Sequence, residues 1–123
     1  MSIGNRPDLI ERGTVVWVDL PAGRGSEQRG TRPAIVISAT AMTAGATVQV
    51  IPLSRREDRG RPYEVPLLPG DTGLPDSGMA LIQQMRAIDK QYIVSRTGTR
   101  IDTSAMERIE AAIHLVLDLK ACA

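Results

Sequence analysis

A basic segment between two apolar runs holds the residues of this chain that are best suited to chemistry. Residues 21–31 join the two runs, and Arg32 and Pro33 follow directly. An ordinary hairpin loop has about two to five residues, and longer loops are usually functional or disordered. Glycine lets backbone N–H groups approach a ligand closely, and arginine supplies paired donors that suit phosphate oxygens. The segment therefore predicts an anion-binding loop that contains Arg24, Ser26, Glu27, Gln28, Arg29 and Gly30.

The composition excludes several kinds of site. The formal net charge is +1, so attraction to a polyanion must come from local clusters of charge. His114 is the only histidine, which rules out a two-histidine ribonuclease mechanism within one chain, and we expect it on the surface. Cys122 is the only cysteine, so neither an intramolecular disulfide nor a cysteine zinc cage can form. No acidic cluster has the spacing of a magnesium or calcium loop. We expect neither a metal nor a cofactor.

Guanidinium, hydroxyl, amide and carboxylate groups remain, and together they suit the stabilisation of charge on a phosphate without a metal. RNA brings its own nucleophile, the 2′-hydroxyl, which attacks the adjacent phosphorus. The protein then needs preorganised donors aimed at the developing negative charge. Arg32 is the best candidate for such a donor, because Pro33 restricts the backbone beside it. In the alternative interpretation, Arg32 pairs with Asp19 or Glu27 and only holds the loop.

A second set of candidates follows the third predicted strand. Ser54 ends that strand, and its hydroxyl can donate to a phosphate oxygen or to the leaving 5′-oxygen. A strand-end serine that caps a turn is the alternative. Arg55 and Arg56 open the basic run RREDRGR, which forms either a phosphate-binding track or an ordinary solvated loop. Binding through such a track would weaken steeply as the salt concentration rises.

Recognition of RNA bases would depend mainly on hydrogen bonds, because aromatic residues are scarce. The chain has one Trp, two Tyr and no Phe, too few for extensive base stacking. We expect Trp17 in the core or at an interface rather than under a base. Gln84 and Arg86 share one face of the fifth predicted strand with Ile82 and Ile88. This polar pair suggests the wall of a cleft, and a hydrogen-bonded pair at an interface is the alternative.

Short strands separated by turns must position these residues. Alternation and β-branched runs predict strands over residues 14–20, 34–38, 47–53, 61–68, 79–88 and 91–100. Three prolines push the fourth strand towards a sheet edge, and residues 69–78 are rich in turn formers. The pattern indicates a compact all-β barrel, and the length of 123 residues indicates one domain over residues 1–123.

One helix is predicted at the end of the chain. Ser104 and Glu107 fit a capping box at its start. Apolar residues recur at helical spacing, so one broad face should pack on the barrel and is wide enough for a subunit contact as well. The members of this face are Met106, Ile109, Ile113, Leu115, Val116, Leu117 and Leu119.

The compartment follows from what the sequence lacks. The N-terminus has neither a basic start nor an apolar signal region, and no span reaches about eighteen apolar residues. A lone cysteine fits a reducing environment. We therefore expect a cytoplasmic protein without membrane contact.

Residues 13–38, GTVVWVDLPAGRGSEQRGTRPAIVIS, resemble the opening of the MazF/PemK-type toxins of bacterial type II toxin–antitoxin systems. The WVDL strand and the GSEQ-x-G-x-RP loop are the specific parts of this resemblance. The segments VIPLS, RPYEV and IQQMRAIDKQ correspond in order to further family segments, so the likeness covers nearly the whole chain. Ser54 stands where many relatives carry Thr, and Gln83 stands where some carry an acid.

The resemblance implies a mainly β fold, an SH3-like small barrel of the PemK/CcdB-like type with a C-terminal α-helix, working as a homodimer. It also implies a sequence-specific, metal-independent endoribonuclease that cuts single-stranded mRNA and leaves 2′,3′-cyclic phosphate and 5′-hydroxyl ends. The family's catalytic arginine falls on Arg32, its Thr/Ser partner on Ser54, and a glutamate implicated in activity on Glu27. Substrate contacts are expected from the remaining candidates, which are Ser26, Gln28, Arg29, Gly30, Arg55, Arg56, Gln84 and Arg86.

The implied partner is a cognate antitoxin whose acidic C-terminal segment covers the same cleft. The rival interpretation is a non-catalytic toxin of the same fold that binds DNA gyrase. Such relatives depend on C-terminal residues that include a Trp near the end, whereas this chain ends in DLKACA. A third alternative is a small-barrel module that binds a peptide or RNA, although grooves of that kind are usually lined with aromatic residues.

Overall fold

The computed structural model describes residues 8–21, 24–25, 27 and 30–120. Within these ranges the chain forms a mainly β fold with a C-terminal helix, as predicted. The strands are β1 (Thr14–Leu20), β2 (Gly30–Val36), β3 (Thr47–Ser54), β4 (Glu64–Leu67), β5 (Gly78–Leu81), β6 (Arg86–Asp89) and β7 (Ile93–Arg100). The helices are a single turn, α1 (Pro69–Thr72), and the long helix α2 (Thr103–Leu117). Three 3₁₀ turns lie at Thr40–Ala44, Ile82–Gln84 and Lys90–Tyr92.

All strand pairs are antiparallel, and β3 is the hub of the sheet. The order of neighbours is β4-β5-β3-β2-β1-β7, and β6 pairs with β3 on the same side as β5. Within the described ranges no ladder joins β4 to β7, so the strand path stays open where a closed barrel would have a seam. In the same part of the chain no helix is both long and apolar enough to cross a membrane.

The alternation predicted for β1 is confirmed, and it separates two hydrophobic clusters. Val16, Val18 and Leu20 pack with residues of β2, β3 and β6 in one cluster. Val15 packs in the other cluster, which contains Ile109 and further residues of α2. Because β1 buries side chains on both faces, it forms a rigid centre on which β2 and the site residues are built.

The second and fourth predicted strands have clearly different bounds in the structure. β2 begins at Gly30, four residues before the predicted start, because its first residues pair with β1 down to the partners Leu20 and Gly30. Gly30 has a φ of +82°, a conformation that glycine adopts without strain, so the chain can leave the loop directly into the ladder. The fourth strand is limited to Glu64–Leu67 and lies at a sheet edge, as its prolines predicted.

The fifth predicted strand is wrong as a continuous element. A 3₁₀ turn at Ile82–Gln84 divides residues 79–88 between β5 and β6, and both pieces pair with β3. Ile82 N–H donates to the Tyr63 carbonyl and Met85 N–H donates to the Ile82 carbonyl, so the turn satisfies the backbone where the ladder breaks. The turn also removes Gln84 from the alternating face that the sequence suggested. The last strand begins at Ile93, after the 3₁₀ turn at Lys90–Tyr92.

The predicted capping box of the C-terminal helix is also wrong. The N-cap is Asp102, whose carboxylate accepts hydrogen bonds from Ser104 N at 3.1 Å and Ser104 Oγ at 2.6 Å. α2 buries Ala105, Ile109 and Ala112. The far end of the predicted apolar face does not pack, since Leu115, Val116, Leu117 and Leu119 are exposed. His114 is exposed too, as expected.

Candidate active site

The β2–β3 ladder brings the two leading candidates, Arg32 and Ser54, together. Ala34 pairs with Pro52, and Ile35 pairs with Ile51. Arg32 stands two residues before Ala34 and Ser54 two residues after Pro52, so both lie just beyond the paired part of the two strands. A guanidinium and a hydroxyl that are far apart in sequence therefore share one site.

Both side chains line a cleft of about 280 Å³. Both are half-buried, and Arg55 follows them along the rim. The apolar part of the wall includes Trp17, which is half-buried and pairs with Pro33 across β1 and β2. Trp17 was expected in the core or at an interface, and in this structure it forms part of the cleft wall.

The cleft makes Arg32 an unusual arginine. Burial lowers the pKa of its guanidinium, and the positive charge of Arg56 lowers that pKa further. Arginine nevertheless stays charged near neutral pH in proteins. A cation that is partly desolvated and faces another cation gains much from an anion between the two. The site is therefore electrostatically prepared for a phosphate.

Close packing of β5 against β3 shapes the Ser54 side of the cleft. Ser54 pairs with Met79, and Gly78 lies next to this pair. A Cβ atom added to Gly78 would stand 3.0 Å from the Ser54 carbonyl oxygen. The glycine therefore lets the backbone of residue 78 approach the strand end that carries the hydroxyl. Across the mouth, Arg55 Nη1 and Asp76 Oδ2 form an exposed ion pair at 3.4 Å.

A second cavity, of about 480 Å³, lies beside the first and is lined by different candidates. Its lining residues are Glu27, Arg56, Arg61, Tyr63, Gln83 and Gln84. The Arg61 guanidinium carbon stands 6.0 Å from the centre of the Tyr63 ring, at the limit of a cation–π contact. Successive residues Arg55 and Arg56 thus face one cavity each.

The structure divides the predicted catalytic trio between these cavities. Glu27 lines the second cavity, and its Oε1 accepts a hydrogen bond from Arg24 N at 2.8 Å. The Glu27 N–H donates to the Arg24 carbonyl at 3.2 Å, so the two residues form a small turn. Arg86 begins β6 and lines neither cavity. Ser26, Gln28 and Arg29 lie outside the described residues.

Sequence reasoning missed Glu64, a buried acid that binds Arg56, one of the two arginines of the second cavity. Its Oε2 accepts from Arg56 Nη1 at 3.0 Å and from Gln83 Nε2 at 3.3 Å. The available signal was an acid at the head of the apolar strand EVPL, a few residues after a basic run. In the part of the chain that the structure describes, no three His, Cys, Asp or Glu side chains come together as a metal-binding group.

The fold and the site define a small antiparallel β protein with a cationic cleft at the end of its central ladder. The sequence matches the family described as PemK-like, MazF-like toxins of type II toxin–antitoxin systems over residues 11–117. The chain belongs to this family.

Curated relatives agree with this assignment. The chain is 31% identical over 117 residues to the endoribonuclease MazF9 of Mycobacterium tuberculosis H37Rv, covering 90% of this chain and 98% of MazF9. It is 30% identical over 119 residues to the endoribonuclease EndoA of Bacillus subtilis 168, covering 90% of this chain and 97% of EndoA. Both relatives are named as endoribonucleases, which favours the catalytic interpretation over the gyrase-binding one.

Solved structures agree with the fold. The crystal structure of MazF from Deinococcus radiodurans matches with a TM-score of 0.75 and 25% identity, covering 89% of this chain and 97% of that one. A mycobacterial endoribonuclease in complex with its cognate antitoxin matches with a TM-score of 0.71 and 22% identity, covering 92% of this chain and 97% of that one. At that identity the second structure supports the fold alone.

Proposed function

We propose that this protein is an endoribonuclease toxin that cuts single-stranded mRNA at a short sequence without a metal ion. The 2′-oxygen of the ribose attacks the adjacent phosphorus, the bond from phosphorus to the 5′-oxygen breaks, and the 2′-proton passes to a base. The products are a 2′,3′-cyclic phosphate and a 5′-hydroxyl, which forms when the leaving 5′-oxygen takes up a proton. The endoribonuclease relatives and the toxin family support the activity.

One observation carries the proposal for the site, namely that Arg32 and Ser54, on two neighbouring strands, line the same cleft. The Arg32 guanidinium would stabilise the extra negative charge on the pentacoordinate phosphorus. Its partial burial makes that interaction stronger than it would be in open water. The Ser54 hydroxyl would donate to a phosphate oxygen or to the leaving 5′-oxygen.

The remaining candidates are proposed to hold the RNA chain. Arg55 on the rim and Arg56 in the second cavity can bind phosphates on the two sides of the scissile bond. Gln84 and Glu27 in the second cavity present an amide and a carboxylate that suit base edges. Gly30 is the first residue of β2, where the loop meets the strand that carries Arg32. The loop residues Ser26, Gln28 and Arg29 are proposed as further contacts with the RNA. Arg86 lines neither cavity, so we propose at most a remote contact for it.

The wild-type protein tests this function directly. Purified protein in excess EDTA should cut a long single-stranded RNA at a recurring short sequence and leave cyclic phosphate ends. An oligonucleotide with deoxyribose at the mapped cleavage position should resist, since it lacks the attacking hydroxyl. Equal cleavage of the ribose and deoxyribose substrates would contradict the mechanism. Loss of cleavage in EDTA that magnesium restores would contradict metal independence.

An antitoxin is the partner that this family implies, and we propose that its acidic C-terminal segment lies in the same cleft. The two half-buried or rim arginines of the cleft, Arg32 and Arg55, would bind its carboxylates in place of phosphates. Titration of a labelled, uncleavable RNA with such an acidic peptide should displace the RNA. Formation of a ternary complex without loss of affinity would contradict a shared cleft.

We also propose a homodimer that works in the cytoplasm. The exposed apolar side chains at the end of α2, Leu115, Leu117 and Leu119, support a surface that a second copy covers. Sedimentation equilibrium should give twice the chain mass. A monomer at micromolar concentration would contradict this part of the proposal.

A further inference from the structure

Glu64 is a buried charge whose place in the fold is not explained by packing. Among the residues that the structure describes, it is the only acidic or basic residue classed as buried, with 3% of its surface exposed. It begins β4 and pairs with Leu81 of β5. Burial of a carboxylate is costly unless it is paired and hydrogen-bonded. Its contacts must therefore supply the reason for an acid at this position.

Those contacts are concentrated on one oxygen. Glu64 Oε2 accepts from Arg56 Nη1 at 3.0 Å and from Gln83 Nε2 at 3.3 Å, and both donors belong to residues that line the second cavity. Glu64 Oε1 is buried without a hydrogen-bond partner among the described residues. A network built for stability alone would satisfy both oxygens. This one directs the carboxylate towards two residues of the cavity wall.

The adjacent arginine provides a natural contrast. Arg55 has 82% of its side chain exposed and pairs with Asp76, which is 59% exposed. Arg56 has 32% of its side chain exposed and pairs with Glu64, which has none. Exposed ion pairs contribute little to order, because long side chains lose entropy and water screens the charges. The buried ion pair therefore restrains Arg56 more than the exposed pair restrains Arg55.

We propose that Glu64 is a positioning residue, which holds the Arg56 guanidinium at the wall of the second cavity so that it binds an RNA phosphate next to the one at Arg32. This inference rests on the proposed function. The charge of Arg56 reaches Arg32, whose pKa it lowers, so the two cations repel each other before RNA binds. Glu64 offsets that repulsion and keeps Arg56 from turning into the solvent.

The sign of one substitution separates this role from simple electrostatics. Glu64→Gln removes a negative charge near a polyanion site, and by charge alone the variant should bind RNA more tightly. If Glu64 positions Arg56, the same variant should bind more weakly, because the guanidinium loses its anchor. The RNA affinity of the variant should also depend less steeply on salt concentration, because one fewer phosphate is neutralised.

The experiment is a double-mutant cycle on binding of the RNA with deoxyribose at the scissile nucleotide, measured across salt concentrations. Arg56→Gln should weaken binding about tenfold, and the slope of log K against log salt should fall by about 0.7. Glu64→Gln should give similar changes, and the double variant should be no weaker than Arg56→Gln. Arg55→Gln is the matched control, and its effect should multiply with that of Glu64→Gln.

Three outcomes distinguish the possibilities. The inference is overturned if Glu64→Gln binds RNA more tightly and keeps the wild-type slope of log K against log salt. It is also overturned if the loss of affinity in the double variant equals the product of the two single losses. Wild-type protein that neither cuts nor binds RNA overturns the proposed function instead. If Glu64→Gln does not fold, as judged by circular dichroism, Glu64→Asp takes its place. That variant keeps the charge but withdraws the carboxylate from Arg56, so it should lower the slope equally; an unchanged slope would contradict the role.

Discussion

The two cavities, one lined by Arg55 and the other by Arg56, are built from different kinds of chain segment. The first, of about 280 Å³, takes Arg32 and Ser54 from regular strands and has an apolar wall that includes Trp17. The second, of about 480 Å³, takes its lining from the loop turn at Glu27, from the segment between β3 and β4, and from the 3₁₀ turn at Ile82–Gln84. The first cavity thus combines strand residues with a wall from residues 72–77, whereas the described residues that line the second all lie outside strands.

This difference fits the two tasks of a sequence-specific nuclease. Stabilisation of a transition state needs donors held within a fraction of an ångström, and side chains on strands of a packed sheet are held best. Recognition of a sequence needs varied donors and acceptors, and irregular segments can change without disturbing the core. We therefore assign chemistry to the first cavity and recognition to the second, and each prediction below tests that division.

The largest effect should come from Arg32→Ala. Loss of one preorganised donor to the developing charge costs roughly 10²–10³ in rate, with the substrate KM changed much less. Single-turnover cleavage of a mapped RNA measures the rate. Arg32→Lys is the matched control, since it keeps the charge but loses the planar fork, and it should recover only part of the rate. Full activity in Arg32→Ala, in a variant with unchanged circular dichroism, would remove this residue from the chemistry.

A smaller loss in rate is expected for Ser54→Ala. The hydroxyl supplies one hydrogen bond to a charged group, which corresponds to about tenfold. Ser54→Thr keeps the hydroxyl and should retain most of the activity. The pair should be compared in single-turnover rates. Equal rates for the Ala and Thr variants would show that the hydroxyl only completes the strand end.

Gln84→Ala should change the recognised sequence more than the rate. An amide that reads a base edge contributes about 1–3 kcal/mol of discrimination, by analogy with bidentate base contacts. Mapping of cut ends in a long RNA should show relaxed preference at one position, with the rate at the best site little changed. His114→Ala is the control, because that exposed side chain should affect neither measurement. An unaltered cleavage pattern in Gln84→Ala would contradict recognition by the second cavity.

The smallest effect should fall outside both cavities, at the cap of α2. Hydrogen bonds from Ser104 lower the pKa of the Asp102 carboxyl below its ordinary value. A depressed pKa in the folded state adds stability at pH values above the unfolded pKa of about 3.9, and that stability is lost as the pH falls through the folded value. The free energy of unfolding, measured in urea, should be modestly higher for wild type than for Asp102→Ala at pH 7. The difference between the two proteins should be smaller at pH 3. A difference in unfolding free energy that does not change with pH would contradict the ionic cap. The cleavage rates of wild type and Asp102→Ala should be the same.

The sequence was most informative where local pattern and burial agree. β1 was predicted to the residue because Val16, Val18 and Leu20 alternate strictly onto one buried face. It was least informative at residues 79–88, where apolar residues on both sides of Gln83 and Gln84 suggested one strand. The structure has a 3₁₀ turn at that point. At α2, Ser104 and Asp102 are both good N-cap types, and the hydrogen bonds of Asp102 decided between them.

Residue types alone were enough to define the chemistry expected here, because a chain with one histidine and one cysteine leaves arginine, hydroxyl and carboxylate groups to act on a phosphate. Which of these groups meet is a matter of register. Arg32 and Ser54 come together through hydrogen bonds between β2 and β3, and Glu64 finds Arg56 only once β4 has packed at the sheet edge. Neither pairing follows from the local preference of either segment, and only the folded sheet brings the partners together.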